Sequence, residues 1–213
     1  MIKGVIFDLD GVITDTAKLH YIAWKNLANS IGIDIDEEFN ESLKGISRTD
    51  SLIRILEHGG VRDKYSDQDI KILTEKKNDE YVKLLEDLTK EDILPGIENF
   101  IKELRDNNLK IGLASVSKNA SRILEILGLL DKVDFIADPA KVEKSKPAPD
   151  IFIESARGLG LAIDEVFGIE DSQAGVEAMR ACKMRSVGIG VDADLRLETT
   201  QDLSLEKIAL YFE

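Results

Sequence analysis

The sequence predicts an α/β fold in which a doubly wound parallel sheet carries an inserted block of helices. Short apolar, β-rich stretches alternate with stretches of helical periodicity over most of the 213 residues. Strands that alternate with helices form parallel sheets covered on both faces. Between about residues 16 and 88, several helical stretches follow one another without a convincing strand. We therefore expect a sheet domain made of residues 1–15 and 89–213, and a helical domain made of residues 16–88.

The sheet is predicted from six short apolar stretches. In chain order they are GVIFDLD, KIGLAS, DFIAD, VFGIED, SVGIG and LRLE. The covering helices are indicated by residues that begin or end helices. Pro95 stands where a first-turn proline belongs in LPGIENFIKELRDNN. Asn119 is expected to begin a second helix that ends at Gly128, and Ser204 to begin a third.

The inserted block is predicted to contain three amphipathic helices. Their sequences are AKLHYIAWKNLANSIG, SRTDSLIRILEHGG and SDQDIKILTEKKNDEYVKLLEDL. Apolar residues recur every three or four positions in each of them, which is typical of helices that bury one face. The second is expected to begin with a capping box, in which Ser47 and Asp50 bond each other's backbone amides.

The composition disfavours two classes of partner. A net charge of −13 would repel phosphate backbones and anionic lipid surfaces. Cys182 is the only cysteine, so an internal disulfide is excluded, and a small buried side chain on a helix is its ordinary interpretation. No apolar stretch has the length of a signal peptide's core or of a membrane span. We expect a cytoplasmic protein with no nucleic-acid or membrane partner.

Side chains that carry chemistry stand at or after the ends of four predicted strands. They are Asp8 and Asp10, Ser115, Lys146, and Glu170 with Asp171. The carboxyl ends of parallel strands meet at one edge of a sheet, and ligands bind there. A hard cation takes oxygen ligands, while a serine and a lysine can hold phosphoryl oxygens. The sequence therefore predicts a site for Mg²⁺ and a phosphate group.

Four motifs in this set resemble those of the haloacid dehalogenase superfamily of phosphotransferases. They are DLDGVITDT, ASVSKN, KSKPAPDIF and GIEDSQAG, in the matching order and on the matching strand ends. The resemblance implies a Rossmann-like core with an inserted helical cap. It implies that Asp8 is a nucleophile that forms an aspartyl phosphate, and that Asp10 is the general acid and base. It also implies Mg²⁺ held by Asp8, Glu170, Asp171 and the backbone carbonyl of Asp10.

Each of these roles has an ordinary structural alternative. Asp8 could be a solvated aspartate at a strand end, and Asp10 could be a turn residue before Gly11. Glu170 and Asp171 could be acids favoured by the dipole of the helix that follows them. Lys146 could be a surface lysine, although its place between Ser145 and a proline suits a fixed contact.

Within the superfamily, the inserted block resembles that of sugar-phosphate mutases, in DGVITDTAKLHYIAWKNLA, LKGISRTDSL and KKNDEYV. The residues implied to bind the substrate and its phosphates are Thr16, His20, Trp24, Gly45, Arg48, Ser51, Lys77, Ser115, Val116, Ser117, Lys118, Asn119 and Lys146. Arg48, Ser117, Lys118 and Asn119 would clamp a second phosphate that does not react.

Three of these residues in the block also have alternatives. His20 and Lys77 resemble residues that couple closure of the cap to the position of Asp10, but a lone histidine is more often a packing residue. Arg48 alone would more often be a solvated helix residue than a ligand. Trp24 could pack inside the block rather than contact the sugar.

The resemblance implies interconversion of β-D-glucose 1-phosphate and glucose 6-phosphate. The reaction would pass through an aspartyl-phosphate enzyme and β-glucose 1,6-bisphosphate, with glucose 1,6-bisphosphate as activator. A Mg²⁺-dependent phosphatase of small sugar phosphates is the alternative, and a catalytically silent scaffold is a third reading. A cap that opens and closes favours a monomer. The resemblance also implies a longer connection than VDAD after SVGIG.

Overall fold

The sheet has six parallel strands in the order β3-β2-β1-β4-β5-β6 in the computed structural model, which describes residues 2–212. The strands are β1 (Gly4–Phe7), β2 (Lys110–Leu113), β3 (Phe135–Ile136), β4 (Val166–Glu170), β5 (Arg185–Ile189) and β6 (Leu195–Leu197). Each of the six predicted stretches matches one of these strands, and only β5 extends beyond its stretch, by one residue at Arg185. The predicted parallel α/β fold is therefore confirmed.

Helices cover the sheet and fill the inserted block. They are α1 (Ala17–Ser30), α2 (Glu37–Glu41), α3 (Arg48–His58), α4 (Asp67–Leu84), α5 (Ile97–Asp106), α6 (Ala120–Leu127), α7 (Asp150–Gly158), α8 (Gln173–Ala181) and α9 (Leu205–Phe212). The short α2 is not predicted by the sequence, because five residues show no clear period. No helix within residues 2–212 is long and apolar enough to cross a membrane.

The two faces of the sheet have separate apolar cores. Val5 and Phe7 of β1 belong to one buried cluster, which also contains Phe100 of α5. Ile6 belongs to a second cluster, which contains Phe152 of α7. Alternate residues of a strand point to opposite faces, so this division shows that helices cover both sides of the sheet.

The register of β1 brings three strand ends to one place. Phe7 pairs with Leu113 of β2 and with Ile169 of β4. Asp8 then continues the ladder, because its amide donates to the Ile169 carbonyl at 2.9 Å. Strand order reverses at β1, which is the position where α/β sheets bind ligands. The residues that follow β1, β2 and β4 therefore surround one crevice.

The inserted helices contain an apolar cluster of their own. It includes Trp24 and Leu27 of α1, Leu52 and Ile55 of α3, and Ile70 of α4. This cluster explains the predicted apolar faces, since helices without a strand to cover must bury their apolar stripes against each other.

The two chain segments that join the block to the sheet lie side by side. Thr14 and Ile93 form an antiparallel bridge. The Leu94 amide donates to the Ile13 carbonyl at 2.9 Å, and the Thr14 hydroxyl donates to the Asp92 carbonyl at 2.8 Å. Both connections are therefore tied together at the base of the block.

Two predictions about helix starts need correction. Pro95 is not in the first turn of α5, because Gly96 is the N-cap and has a φ of +90°. A side chain at Gly96 would also meet the Thr200 carbonyl oxygen.

The capping box of α3 is only half formed. The Ser47 hydroxyl accepts from the Asp50 amide at 3.1 Å, but the Asp50 carboxylate accepts from the Ser47 hydroxyl and from Ser145.

The connection between β5 and β6 is short and well bonded. The Asp194 carboxylate accepts from the amide and the hydroxyl of Ser186, at 2.8 Å each. Gly190 has a φ of +70°, and its amide donates to the Leu197 carbonyl at 2.7 Å. These bonds let the chain return between parallel neighbours without the longer connection that was expected.

Candidate active site

Asp8 and Lys146 form a buried ion pair at the end of β1. The Lys146 Nζ lies 2.6 Å from the Asp8 carboxylate and 3.4 Å from that of Glu170. Burial alone would lower the pKa of Lys146, but the carboxylates of Asp8 and Glu170 outweigh it and raise the pKa. Lys146 is therefore fully charged and fixed behind the Asp8 carboxylate, rather than a surface lysine.

Three carboxylates converge next to this pair. Each of Asp8, Glu170 and Asp171 offers an oxygen atom, and these atoms lie within 4.8 Å of one another. Burial, followed by the charge of Asp8, raises the pKa of Asp171 to about 7 and raises that of Glu170. An excess of buried negative charge is costly unless a cation offsets it. The oxygen donors suit a hard divalent cation such as Mg²⁺.

Two glycines leave room for these acids. A Cβ at Gly11 would lie 1.9 Å from a carboxylate oxygen of Asp171, and Gly11 has a φ of +79°. A Cβ at Gly175, in the first turn of α8, would lie 1.8 Å from a carboxylate oxygen of Glu170. Both positions therefore require glycine if the carboxylates are to meet.

Asp10 lies in the turn after β1. The turn is closed by the Gly11 amide, which donates to the Thr14 carbonyl at 2.8 Å. The Asp10 Oδ1 atom is buried and has no hydrogen-bond partner among residues 2–212. Burial and the charge of Asp8 raise the pKa of Asp10 to about 8. The carboxyl group is thus free to bond a ligand that enters the cavity beside Asp8.

A half-buried histidine and a buried lysine face this crevice from the helical block. The Lys77 Nζ of α4 lies 2.6 Å from the His20 Nδ1 of α1, and the His20 ring stacks on Tyr81. The ammonium lies 4.7 Å from the centre of the Trp24 ring. Burial and the charge of Arg48 lower the pKa of Lys77 to about 7. Burial and the charge of Lys77 hold the pKa of His20 well below its ordinary value.

Arg48, at the start of α3, is half-buried and has no carboxylate partner within 4.0 Å among residues 2–212. Its guanidinium donates to the Asn78 side-chain oxygen at 2.7 Å, and the same oxygen accepts from Asn119 at 2.9 Å. Burial lowers the pKa of Arg48. A half-buried guanidinium without a counterion is suited to bind an anion.

One cavity of about 90 Å³ lies between the sheet edge and the block. Its lining contains most of the residues predicted for the site. They are Asp8, Asp10, His20, Trp24, Gly45, Arg48, Ser51, Lys77, Ser115, Val116, Ser117, Glu170 and Asp171. Trp24 both lines the cavity and packs within the block, so its two interpretations coexist. The structure therefore gathers residues that are distant in sequence around a single space.

Four predicted residues do not line this cavity. Lys146 lies behind Asp8, and Asn119 is linked to Arg48 through Asn78. Thr16 is buried and accepts from the Tyr81 hydroxyl at 3.1 Å, which holds the start of α1 against α4. Lys118 is exposed. The first three support lining residues, and the structure does not bring Lys118 onto the lining.

The structure adds residues that sequence reasoning missed. Asn40, Lys44 and Ser172 line the cavity. Ser172 donates to the buried Glu170 carboxylate and also caps α8. Asn78 follows Lys77 directly, but its bonds to Arg48 and Asn119 have no signal in the sequence. Asn40 lies in α2, which the sequence did not predict, so no periodic pattern indicated that Asn40 would line the cavity.

The family model for haloacid dehalogenase-like hydrolases matches residues 2–183. The chain belongs to the haloacid dehalogenase-like hydrolase family. That family assignment agrees with the carboxylates at the strand ends and with Ser115 and Lys146, all of which belong to the motifs that carry the resemblance. It also agrees with a fold in which helices are inserted after the first strand.

This haloacid dehalogenase-like chain is similar to proteins with more specific names. It is 46% identical to the β-phosphoglucomutase of Bacillus subtilis, over 96% of this chain and 92% of the relative. A crystal structure of β-phosphoglucomutase from Clostridium difficile superposes with a TM-score of 0.98 at 49% identity, covering 100% of this chain and 97% of the other. A phosphorylated carbohydrates phosphatase of Thermotoga maritima is 26% identical, over 87% and 83%.

Proposed function

We propose that the chain is a phosphomutase that interconverts β-D-glucose 1-phosphate and glucose 6-phosphate. The observation that carries the proposal is a cavity with two unlike ends. Asp8 and its neighbouring acids line it together with Arg48, which has no carboxylate within 4.0 Å among residues 2–212, and we take the two groups as its two ends. Such a cavity can hold a reacting phosphoryl group and a second phosphate together. The similarity to β-phosphoglucomutases over nearly the whole chain supports the choice of substrate.

We propose that residues 16–88 form a cap domain and that residues 1–15 and 89–213 form the catalytic domain. The separate apolar cluster of the inserted helices supports this division. The paired connections at Thr14 and Ile93 would act as the hinge. The cavity is lined from both sides, so a sugar phosphate enters when the cap swings away and is enclosed when the cap returns.

The first half-reaction begins with phosphate on Asp8. The 6-hydroxyl oxygen of β-glucose 1-phosphate bonds the phosphorus while the bond from phosphorus to the Asp8 oxygen breaks. The hydroxyl proton passes to Asp10, whose Oδ1 has no other partner among residues 2–212. The products are free Asp8 and β-glucose 1,6-bisphosphate.

The second half-reaction uses the same groups after the bisphosphate has turned around. The Asp8 carboxylate bonds the phosphorus on carbon 1, and the carbon 1 oxygen leaves with the proton from Asp10. Glucose 6-phosphate is released, and the aspartyl phosphate is restored. Glucose 1,6-bisphosphate would also act as activator, because it can place the first phosphate on Asp8.

The charged residues supply the conditions for these steps. Mg²⁺ held by Asp8, Glu170, Asp171 and the Asp10 backbone carbonyl would offset the charge of the phosphoryl group. Lys146 adds a fixed positive charge beside the attacking oxygen of Asp8. Ser115, at the end of β2, would bind a phosphoryl oxygen through its hydroxyl.

The opposite end of the cavity would hold the phosphate that does not react. Arg48 and Asn119 already point their donors at one acceptor, the side-chain oxygen of Asn78. Ser117 and Lys118 precede Asn119 in the same loop, and we assign them to the same phosphate. His20 and Lys77 would connect cap closure to Asp10, because both line the cavity from the cap.

We also propose that the enzyme works as a monomer in the cytoplasm, without a nucleic-acid or membrane partner. A closing cap needs no second subunit. The net charge of −13 opposes binding to anionic polymers and lipids.

The proposal is tested by following glucose 6-phosphate and inorganic phosphate together. The assay contains Mg²⁺ and a trace of glucose 1,6-bisphosphate, with either anomer of glucose 1-phosphate as substrate. Glucose 6-phosphate from the β anomer alone supports the mutase. Inorganic phosphate without glucose 6-phosphate contradicts it and indicates the phosphatase. If neither glucose 6-phosphate nor inorganic phosphate forms and Asp8 carries no phosphate, the protein is a catalytically silent scaffold.

A further inference from the structure

Two side-chain hydrogen bonds join the inserted block to the rest of residues 2–212. One runs from Asn119 to Asn78 and the other from Ser145 to Asp50, at 2.9 Å and 2.8 Å. No ion pair crosses the same boundary among these residues. The first bond belongs to the end of the cavity assigned to the second phosphate. The second has no role in the reaction described above.

Asp50 departs from its expected local role in helix α3. Its carboxylate was predicted to bond the Ser47 amide, but it accepts from the Ser47 hydroxyl at 2.5 Å and from the Ser145 hydroxyl at 2.8 Å. The first turn of α3 still has its N-cap, because the Ser47 hydroxyl accepts from the Asp50 amide. The carboxylate is therefore used to contact the other side of the boundary.

Ser145 connects this contact to the reacting carboxylate. It directly precedes Lys146, whose Nζ lies 2.6 Å from Asp8. A short path of contacts therefore leads from the first turn of α3 through the loop before α7 to Asp8. Neither Asp50 nor Ser145 lines the cavity. Their removal would change the loop without deleting a contact to substrate.

We propose that Asp50 is a positioning residue that links closure of the cap to the placement of Lys146. The inference rests on the proposed function, in which the cap closes over a sugar phosphate. When the cap is closed, Asp50 anchors Ser145 and holds the loop that places Lys146 beside Asp8. When the cap opens, the bond is lost and the loop has no anchor on that side. The Lys146 ammonium is therefore held in its place beside Asp8 only while the substrate is enclosed.

The test compares two reactions of the same enzyme. The first is turnover of β-glucose 1-phosphate, which needs the cap to close. The second is phosphorylation of Asp8 by acetyl phosphate, followed by protein mass. In that step an Asp8 oxygen bonds phosphorus, the bond from phosphorus to the acetyl oxygen breaks, and acetate leaves. Acetyl phosphate has no sugar for the cap to enclose.

Ser145→Ala is the main variant, because it leaves every residue of the cap in place. We expect kcat/KM for β-glucose 1-phosphate to fall about two- to fivefold, the range for one exposed hydrogen bond. Phosphorylation by acetyl phosphate should stay within about twofold of the parent rate. Asp50→Ala should cause the same loss, and Ser145→Ala with Asp50→Ala should cause no further loss, since the two residues share one contact.

Two further variants separate this role from helix capping. Asp50→Asn retains an oxygen acceptor and should recover most of the activity. Thr49→Ala, at the exposed neighbouring position, should leave both reactions unchanged. An unfolding midpoint for each variant shows whether the cap remains folded.

Three results would overturn the inference. They are an unchanged kcat/KM in Ser145→Ala, an equal loss in both reactions, or additive losses in the double variant. These comparisons are ratios to the parent chain. They can be made with phosphate release as the readout if the parent proves to be a phosphatase, so failure of the proposed function is seen separately in the parent's own products.

Discussion

The two walls of the cavity carry opposite charge. The lining residues that come from 2–15 and 89–212 include Asp8, Asp10, Glu170 and Asp171, but no lysine or arginine. The lining residues from the block include Lys44, Arg48 and Lys77, but no carboxylate. Lys146, on the same side of the cavity as these carboxylates, lies behind the lining and is paired with Asp8.

This difference teaches how one cavity can hold both a cation and a doubly phosphorylated sugar. The sheet wall has more carboxylates than its buried lysine can offset, so it favours a divalent cation. On the block wall Lys44 pairs with Glu41, but neither Arg48 nor Lys77 has a carboxylate within 4.0 Å among residues 2–212, so this wall favours an anion. The following substitutions change one wall at a time.

The largest effect is expected on the sheet wall, at Asp8, the proposed nucleophile. Asp8→Asn should reduce turnover of β-glucose 1-phosphate by more than about 10⁴-fold, because no aspartyl phosphate can form. Protein mass after incubation with glucose 1,6-bisphosphate should show no added phosphate. Asp15→Asn, at an exposed position nearby, serves as the control. A phosphorylated Asp8→Asn protein would show that another residue is the nucleophile.

The next largest effect is expected at Asp10, the proposed proton carrier. Asp10→Asn should lower kcat by about 10²- to 10⁴-fold, because the amide cannot take the hydroxyl proton. The variant should still accept phosphate from acetyl phosphate, since acetate leaves without needing a proton. Equal losses in sugar turnover and in phosphorylation by acetyl phosphate would contradict this division of roles.

A smaller effect is expected from the block wall. Arg48→Ala should raise KM for β-glucose 1-phosphate by about 10- to 100-fold, which is the value of a hydrogen bond to a charged group. Arg54→Ala removes an exposed arginine of the same helix and should leave KM unchanged. If both variants behaved alike, the effect of Arg48 would be one of overall charge.

The last effect is on stability rather than on activity, and it concerns Lys77. Because its pKa is about 7 in the folded chain and about 10.4 when unfolded, the unfolded chain binds more protons between these values. The free energy of unfolding therefore carries a penalty that is complete below pH 7 and disappears as the pH rises towards 10. His20 and Arg48 face the ammonium, with the carboxylates of Asp10 and Glu80 acting in the other direction.

Lys77→Met should remove this penalty. Urea unfolding at pH 6, 8 and 10 should show that the variant gains stability relative to the parent at low pH, and that the gain shrinks as the pH rises. Lys76→Met changes the exposed neighbour and should show no such trend. A gain for Lys77→Met that is independent of pH would mean that burial does not perturb the ammonium.

The strand ends were predictable because a buried strand that ends in acids is an unusual pattern. Asp8, Glu170 and Asp171 are each adjacent to or within such a stretch, and parallel topology brings their strands together. The place of Lys146 in the site could be predicted only with the help of the family resemblance, since nothing in the nearby sequence shows that its ammonium turns inward. The helices of the block were predictable from their apolar faces.

Contacts across the boundary were not predictable from sequence. Asp50 was expected to complete a local capping box, but tertiary contact with Ser145 competes for the same carboxylate. Asn78 lies on a helix face that shows no apolar period, and its role depends on where Arg48 and Asn119 arrive. Such contacts are set by how two units pack, and a single periodic pattern does not contain that information.

The most direct test of the two opposite walls is a pair of calorimetric titrations, with Mg²⁺ alone and with glucose 6-phosphate alone. The parent chain, Asp171→Asn and Arg48→Ala are compared. We predict that Asp171→Asn weakens Mg²⁺ binding and leaves glucose 6-phosphate binding unchanged, while Arg48→Ala does the reverse. If Arg48→Ala weakened Mg²⁺ binding, or Asp171→Asn weakened glucose 6-phosphate binding as much as Arg48→Ala does, the two walls would not be separate sites.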